Sequence, residues 1–177
     1  MSVEKQIEKR SAIMNTHTKG YEPIYSKDSK ALILGTWPSP KSFEMGFYYG
    51  HKQNRFWPLM ATLTGREVPL TIEEKKALIL DSGLALWDTI EQCTIIGAAD
   101  ASIRDVEARD ITWLLREAPI EAVFCNGAKA YEIYMKHQYP RTGITAVKLP
   151  STSPANAAFS MERLQELWNP LKAYIKK

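Results

Sequence analysis

The chain has 177 residues, of which 45% are apolar and 24% charged, with a formal charge of +3, a composition near the soluble globular average and far from that of disordered or fibrous chains. Its length is about 1.2 times a typical domain of ~150 residues, so a single domain over residues 1–177 with one closed core is expected. No run approaches the ~18 apolar residues of a membrane span, and the opening MSVEKQIEKR lacks the apolar stretch of a secretory leader, which predicts a cytoplasmic protein with no membrane partner.

Residues 3–18 read as a helix, giving a helical N-terminal extension over about 1–20 that ends before Tyr21-Glu22-Pro23. Ala31 to Leu34 is the first buried strand, stopped by Gly35. From Thr36 to Asn54 the chain has two prolines, two glycines and five aromatics with neither helical nor strand period. Irregular loops of that length in a small domain usually carry function. A helix follows from about Asn54 to Leu63, and Thr71-Ile72-Glu73-Glu74 suits a capping box opening a helix to about Asp81, with Gly83 beyond it. Residues 84–90 (LALWDTI) read as the second strand, followed by a polar stretch through Cys93 to residue 109. A helix over about Asp110 to Glu117 precedes the third strand, Ile120 to Cys125, and Asn126-Gly127 turns into a helix ending near Tyr139-Pro140. The fourth strand spans Ile144 to Leu149, a Pro/Ser/Thr loop spans 150–156, and Met161 to Ile175 is an amphipathic helix. Short apolar strands alternating with helices predict an α/β fold, a largely parallel sheet covered by helices on both faces.

In such sheets ligands bind beyond the carboxyl ends of the strands, so loops 35–54, 88–95, 125–128 and 150–156 should meet at one rim. No GxxxxGK[ST], GxGxxG or GxSxG follows a strand, which argues against nucleoside triphosphate, dinucleotide and acyl-transfer chemistry. His17, His51 and His137 show no metal-ligand spacing, and Cys93 and Cys125 read as small buried hydrophobes, so neither a metal nor a cofactor is expected. Ser39, Ser42, Ser151, Thr152 and Ser153 either punctuate turns or hydrogen-bond an anion such as phosphate, with Lys41, His51, Lys52 and Arg55 nearby. Phe43, Phe47, Tyr48 and Tyr49 share the first of these loops. Aromatics interleaved with phosphate-binding groups suit stacking on an unpaired base, although each alone would equally pack beneath the loop. Trp57 reads as core.

Three stretches carry a resemblance. Gly35-Thr36-Trp37-Pro38-Ser39, Gly46-Phe47-Tyr48-Tyr49-Gly50-His51 running into Asn54-Arg55-Phe56-Trp57, and Leu149-Pro150-Ser151-Thr152-Ser153-Pro154-Ala155-Asn156-Ala157 resemble the motifs of the uracil-DNA glycosylase superfamily, most of all its hypoxanthine-DNA (deoxyinosine) glycosylase branch. The resemblance implies a three-layer α/β/α sandwich with a central, mainly parallel four-stranded sheet, a flipped-out base and monofunctional cleavage of its glycosidic bond. It places Tyr49 as the ring stacking on the base, with Phe47, Thr36, Trp37 and Asn126 completing the base pocket. Trp37 stands where related mismatch-specific enzymes carry an Asn that handles the attacking water. In the hypoxanthine branch the Asn of the NRFW segment takes the catalytic part, which corresponds to Asn54. Leu149 replaces the His or Asn that opens the second motif in several sister families. The loop 150–157 resembles the one that clamps the DNA backbone, with Pro154, Ala155 or Asn156 filling the space left by the base. Ser39, Ser42, His51, Arg55, Ser151, Thr152 and Ser153 become the DNA-backbone contacts.

The implied partner is double-stranded DNA containing a deaminated or mismatched base, met by a monomer. Asn54 and Asn126 each have a competing reading as a helix cap or turn residue. Asp88 and Glu44 are the acids near the rim. A Schiff base would need a lysine in the pocket, and Lys41, Lys52 and Lys148 are the only lysines near a motif, so no lyase activity is expected. A mismatch uracil glycosylase, a catalytically weak DNA-damage-binding protein on the same fold, and a hydrolase of free nucleosides are the alternatives.

Overall fold

In chain order the computed structural model contains β1 (Met14–Thr18), β2 (Ala31–Gly35), α1 (Pro40–Met45), α2 (Phe56–Thr64), α3 (Ile72–Asp81), β3 (Leu84–Asp88), β4 (Ile90–Ile96) and β5 (Arg104–Ala108). These are followed by α4 (Thr112–Glu117), β6 (Ala122–Asn126), α5 (Ala128–Ile133), a π-helical turn (Tyr134–Gln138), α6 (Tyr139–Thr142), β7 (Ala146–Leu149), α7 (Met161–Trp168) and a 3-10 turn (Asn169–Tyr174). The structure describes residues 14–18, 20–96 and 103–177.

The central sheet has four parallel strands in the order β3-β2-β6-β7 and is flanked by helices. Every residue of β2, β3 and β6 is buried, as expected where helices or loops cover both faces of a parallel sheet. The outer edge of β3 is closed by Ile24, which exchanges two backbone hydrogen bonds of 2.9 Å with Leu86. At the opposite edge Val147 and Lys148 of β7 are exposed.

α2 buries Phe56, Leu59, Met60 and Leu63, the i, i+3, i+4, i+7 stripe that drives an amphipathic helix onto a core. α3 starts with the predicted capping box: Thr71 Oγ1 accepts from the Glu74 N–H at 3.1 Å, and the Glu74 carboxylate accepts from the Thr71 N–H at 3.1 Å. α2 packs with α3, α7 and the 3-10 turn, α3 packs also on β3, and α5 packs on β6 and β7. Among the described residues no helix is long and apolar enough to cross a membrane.

Several expectations are corrected. Residues 14–18 are a strand, and the remainder of the expected opening helix, residues 3–13, lies outside the described residues. The polar stretch after β3 is not a loop: β1, β4 and β5 form a second, antiparallel sheet in the order β1-β4-β5. Ile90 and Cys93 point into a small core with Trp37, Ile103 and Ile133, while exposed Glu91 between them breaks the apolar run that marks a buried strand. Within the long loop, Ser39 caps α1 by accepting from the Ser42 N–H, with Pro40 in the first turn. The helix after β6 is not continuous either, since the π-helical turn interrupts it.

Replacing the buried Phe124 with alanine empties the centre of the sheet and is expected to cost about 3–5 kcal/mol in denaturant unfolding. Burial pushes the thiols of Cys93 and Cys125 up, to about 11 and about 12. Both should resist thiol reagents near neutral pH until the protein is denatured. Because the folded values are raised, their contribution to stability is in place below the ordinary value of 9.0 and is lost as pH climbs towards the raised values. Unfolding curves between pH 8 and 11 measure this decline.

Candidate active site

The carboxyl ends of the four parallel strands form one row. Gly35 lies opposite Asp88, and Asn126 lies opposite Leu149. A cavity of about 810 Å³ opens on this row, within the usual range for small-ligand sites. The four loops expected to meet at one rim contribute to it unequally, since residues 36–54 and 150–156 supply most of the wall beyond the strand ends.

Gly35 is where the backbone must stay bare: a Cβ there would lie 2.5 Å from Asp88 Oδ1 and 2.7 Å from the Tyr49 hydroxyl. Tyr49 has φ of 52°, the left-handed region that non-glycine residues rarely adopt. Its ring stacks on Phe56 with centroids 4.1 Å apart and lines the cavity. Phe56 thus backs one face of the ring.

The aromatics before Tyr49 are the support of this loop. Phe47 and Tyr48 are buried around Tyr21, which also touches Phe43. Phe47 stacks on Trp57 and does not reach the cavity, which corrects its expected place in the base pocket. Trp57 is core, as read, and donates to the Tyr48 carbonyl at 2.9 Å. Tyr48 donates to the Glu22 carbonyl at 2.7 Å. Burial, and after it the negative charge of Asp88, hold the Tyr48 phenol far above the ordinary range. Tyr21, whose aromatic shelf was missed in the sequence, has a phenol raised chiefly by burial. Thr36 and Trp37 line the cavity, but Trp37 also belongs to the small second core.

Asn54 and Asn126 both line the cavity, and Thr152 joins them. Asn54 Oδ1 accepts from the Phe56 N–H and from the Thr152 hydroxyl, each at 2.9 Å. The Asn126 side chain meets Thr152 twice: Nδ2 donates to Oγ1 at 3.0 Å, and Oδ1 accepts from the Thr152 N–H at 3.0 Å. Asn54 therefore does assist the start of α2 while also facing the cavity. Asn126 makes no cap for α5. Instead Gly127, at φ of 98°, turns the chain so that its N–H reaches the Leu149 carbonyl at 2.9 Å.

The hydroxyls expected at phosphates divide into two groups. Ser39, Ser151 and Ser153 each accept from a backbone N–H of their own loop, leaving the O–H proton uncommitted. Ser42 and Thr152 are buried and donate to the Phe47 carbonyl and to Asn54, so neither hydroxyl has a proton left for DNA. Arg55 is also corrected. Its guanidinium donates to the carbonyls of Ser153, Asn156 and Phe159, holding the loop rather than projecting from it. His51 lies outside the cavity, with Nδ1 accepting from the Gln53 N–H at 3.0 Å. Ala155 and Asn156 line the cavity and Pro154 does not.

Asp88 and Lys148 are the charged side chains of the lining among the described residues. Both follow from the register, because each stands at or beside the carboxyl end of an outer strand of the sheet. Glu44 is exposed, paired with Lys41 at 3.0 Å, and is not part of the lining.

The uracil DNA glycosylase superfamily profile matches residues 22–172. A hypoxanthine DNA glycosylase of Methanosarcina acetivorans is 31% identical over 152 residues, which are 84% of this chain and 94% of that protein. A hypoxanthine DNA glycosylase of Methanosarcina barkeri is 28% identical over 116 residues, 64% of this chain and 73% of that one. The solution structure of a candidate uracil DNA glycosylase from Methanosarcina acetivorans superposes with a TM-score of 0.77 at 29% identity, covering 89% of this chain and 97% of the other.

Arg55→Met removes the guanidinium that three loop carbonyls share. The expected cost is on the order of 2–3 kcal/mol in unfolding free energy. Limited proteolysis should then cut within residues 150–159 faster than in the wild type.

Proposed function

Because the chain belongs to the uracil DNA glycosylase superfamily, we propose that it hydrolyses the N-glycosidic bond of a deaminated base flipped out of double-stranded DNA, hypoxanthine first, leaving an abasic site. The observation that carries this reading is that the Tyr49 ring and the Asn54 amide face one cavity, walled by a loop whose Ser151 and Ser153 hydroxyls keep their protons. The relatives' activity on hypoxanthine supports the choice of base.

Extrusion costs a few kcal/mol and least at a mismatched pair, so a deaminated base is favoured before it meets the cavity. The base lies against Tyr49, on the face opposite Phe56, while Asn126 and the backbone of 35–38 read its edge. Ser39, Ser151 and Ser153 donate to the flanking phosphates. In the reaction the C1′–N bond breaks and its electron pair leaves with the base. A water oxygen bonds to C1′, and the proton it sheds ends on the departing base. The developing positive charge on the sugar is offset by nearby phosphate and by the Asp88 carboxylate at the cavity wall. Asn54 is the catalytic side chain. This scheme needs one domain, one copy of the chain and no lysine adduct, and a cytoplasmic site of action in contact with DNA suits it.

The test is excision from duplexes carrying deoxyinosine, deoxyuridine or deoxyxanthosine opposite each base, with alkali to reveal abasic sites. Wild type should release hypoxanthine fastest. Asn54→Ala should lose about 100-fold or more in single-turnover rate with binding retained. Tyr49→Ala should lose about 5–150-fold, the range that one base stack is worth. A wild type that binds these duplexes and cuts none of them would favour a damage-binding protein, while cleavage of free inosine would favour a nucleoside hydrolase.

A further inference from the structure

The hydrogen bonds around Thr152 have only one consistent direction. The Phe56 N–H can only donate, so the Asn54 amide atom 2.9 Å from it is the oxygen. The Thr152 N–H can only donate, so the Asn126 atom 3.0 Å from it is likewise the oxygen. The other end of Asn126, 3.0 Å from Thr152 Oγ1, is then the NH2 group, and at that contact the hydroxyl must accept. The single hydroxyl proton of Thr152 is left for Asn54 Oδ1, at 2.9 Å. Asn54 thus has its carbonyl held by two donors, and among the described residues its NH2 group has no hydrogen-bond partner while its side chain lines the cavity.

We propose that Thr152 is a positioning residue that, oriented by Asn126, holds the Asn54 carbonyl so that Asn54 offers the cavity N–H donors for the charge developing on the departing base, rather than an acceptor for the attacking water. The inference rests on the glycosylase reading and refines it. When the glycosidic electron pair leaves with a purine, negative charge spreads over the ring nitrogens and the exocyclic oxygen, and a fixed N–H donor stabilises that charge without having to reorganise. A primary amide is too weak a base to take the water's proton, and here its oxygen is already doubly bonded to donors. Thr152, buried and with its proton committed, makes no contact with DNA itself.

The experiment measures single-turnover excision from a deoxyinosine duplex, DNA affinity and melting temperature for the wild type and four variants. Thr152→Ser keeps the hydroxyl and should stay within about 3-fold of wild type, whereas Thr152→Val should fall about 10-fold or more in rate with affinity changed less than about 3-fold. Asn54→Asp keeps an oxygen for Phe56 and Thr152 but replaces the NH2 group with an acceptor, so near neutral pH it should be as slow as Asn54→Ala. As pH falls its rate should climb about tenfold per unit relative to Asn54→Ala, because only the protonated carboxyl can donate. Asn54→Asp retaining or exceeding wild-type rate at neutral pH would overturn the donor role, and a folded Thr152→Val as fast as wild type would overturn the positioning role. If wild type itself leaves deoxyinosine intact, the glycosylase reading fails instead.

Discussion

Everything at the rim depends on a tether between two segments 98 residues apart in sequence. Asn54 and Arg55 stand just before α2, and Thr152 stands just after β7. The Arg55 N–H donates to the Thr152 carbonyl, the Thr152 hydroxyl to Asn54, and the Arg55 guanidinium to three further carbonyls of the same loop. Between them these bonds satisfy the loop carbonyls of Thr152, Ser153, Asn156 and Phe159, which an irregular loop would otherwise leave to water. The loop can therefore stand at the sheet edge in one conformation, with Ser151, Ser153 and Asn156 along the cavity wall.

The tether is also an economical solution to an electrostatic problem. Charge develops transiently on both sides of a glycosidic bond, and a site with mobile dipoles would have to reorient them during the event. Here the dipoles are locked by donors that cannot change role: backbone N–H groups at Phe56 and Thr152 fix the direction of every amide and hydroxyl between them. The left-handed Tyr49, backed by Phe56 and kept close to Gly35 by the absence of a Cβ, shows the same strategy applied to a ring.

The parallel sheet was legible because β2, β3 and β6 each open with four consecutive apolar residues, and α3 because its capping box is a local code. The antiparallel sheet was not, since β4 alternates Ile90 and Cys93 with polar residues at irregular spacing and its register shifts twice against β5. α1 hid in a loop because a helix of fewer than two turns, closed by Gly46, carries no period to detect. At the site, residue type pointed to the right places and, in part, to the wrong jobs. Arg55 and Thr152 read as phosphate ligands by their chemistry, and only the three-dimensional count of donors and acceptors reveals that they are already spent. Phe47 read as a base contact because its burial against Trp57 and Tyr21 depends on segments far from it in sequence. Asp88, by contrast, was legible as an acid at the end of a strand, and the register sets it opposite Gly35 of the first motif.

The distribution of the cavity wall along the chain has a consequence for biosynthesis. One side comes from residues 35–54 and the other from 148–159 and Leu167, with Asp88, Asn126 and Ala128 between them, so a ribosome-bound chain has no closed pocket until residues 148–159 and Leu167 have emerged. Contacts of such long sequence separation also form late in the folding of an isolated domain. The base-holding surface is thus completed only when the second of its two walls, more than 90 residues downstream of the first, is in place.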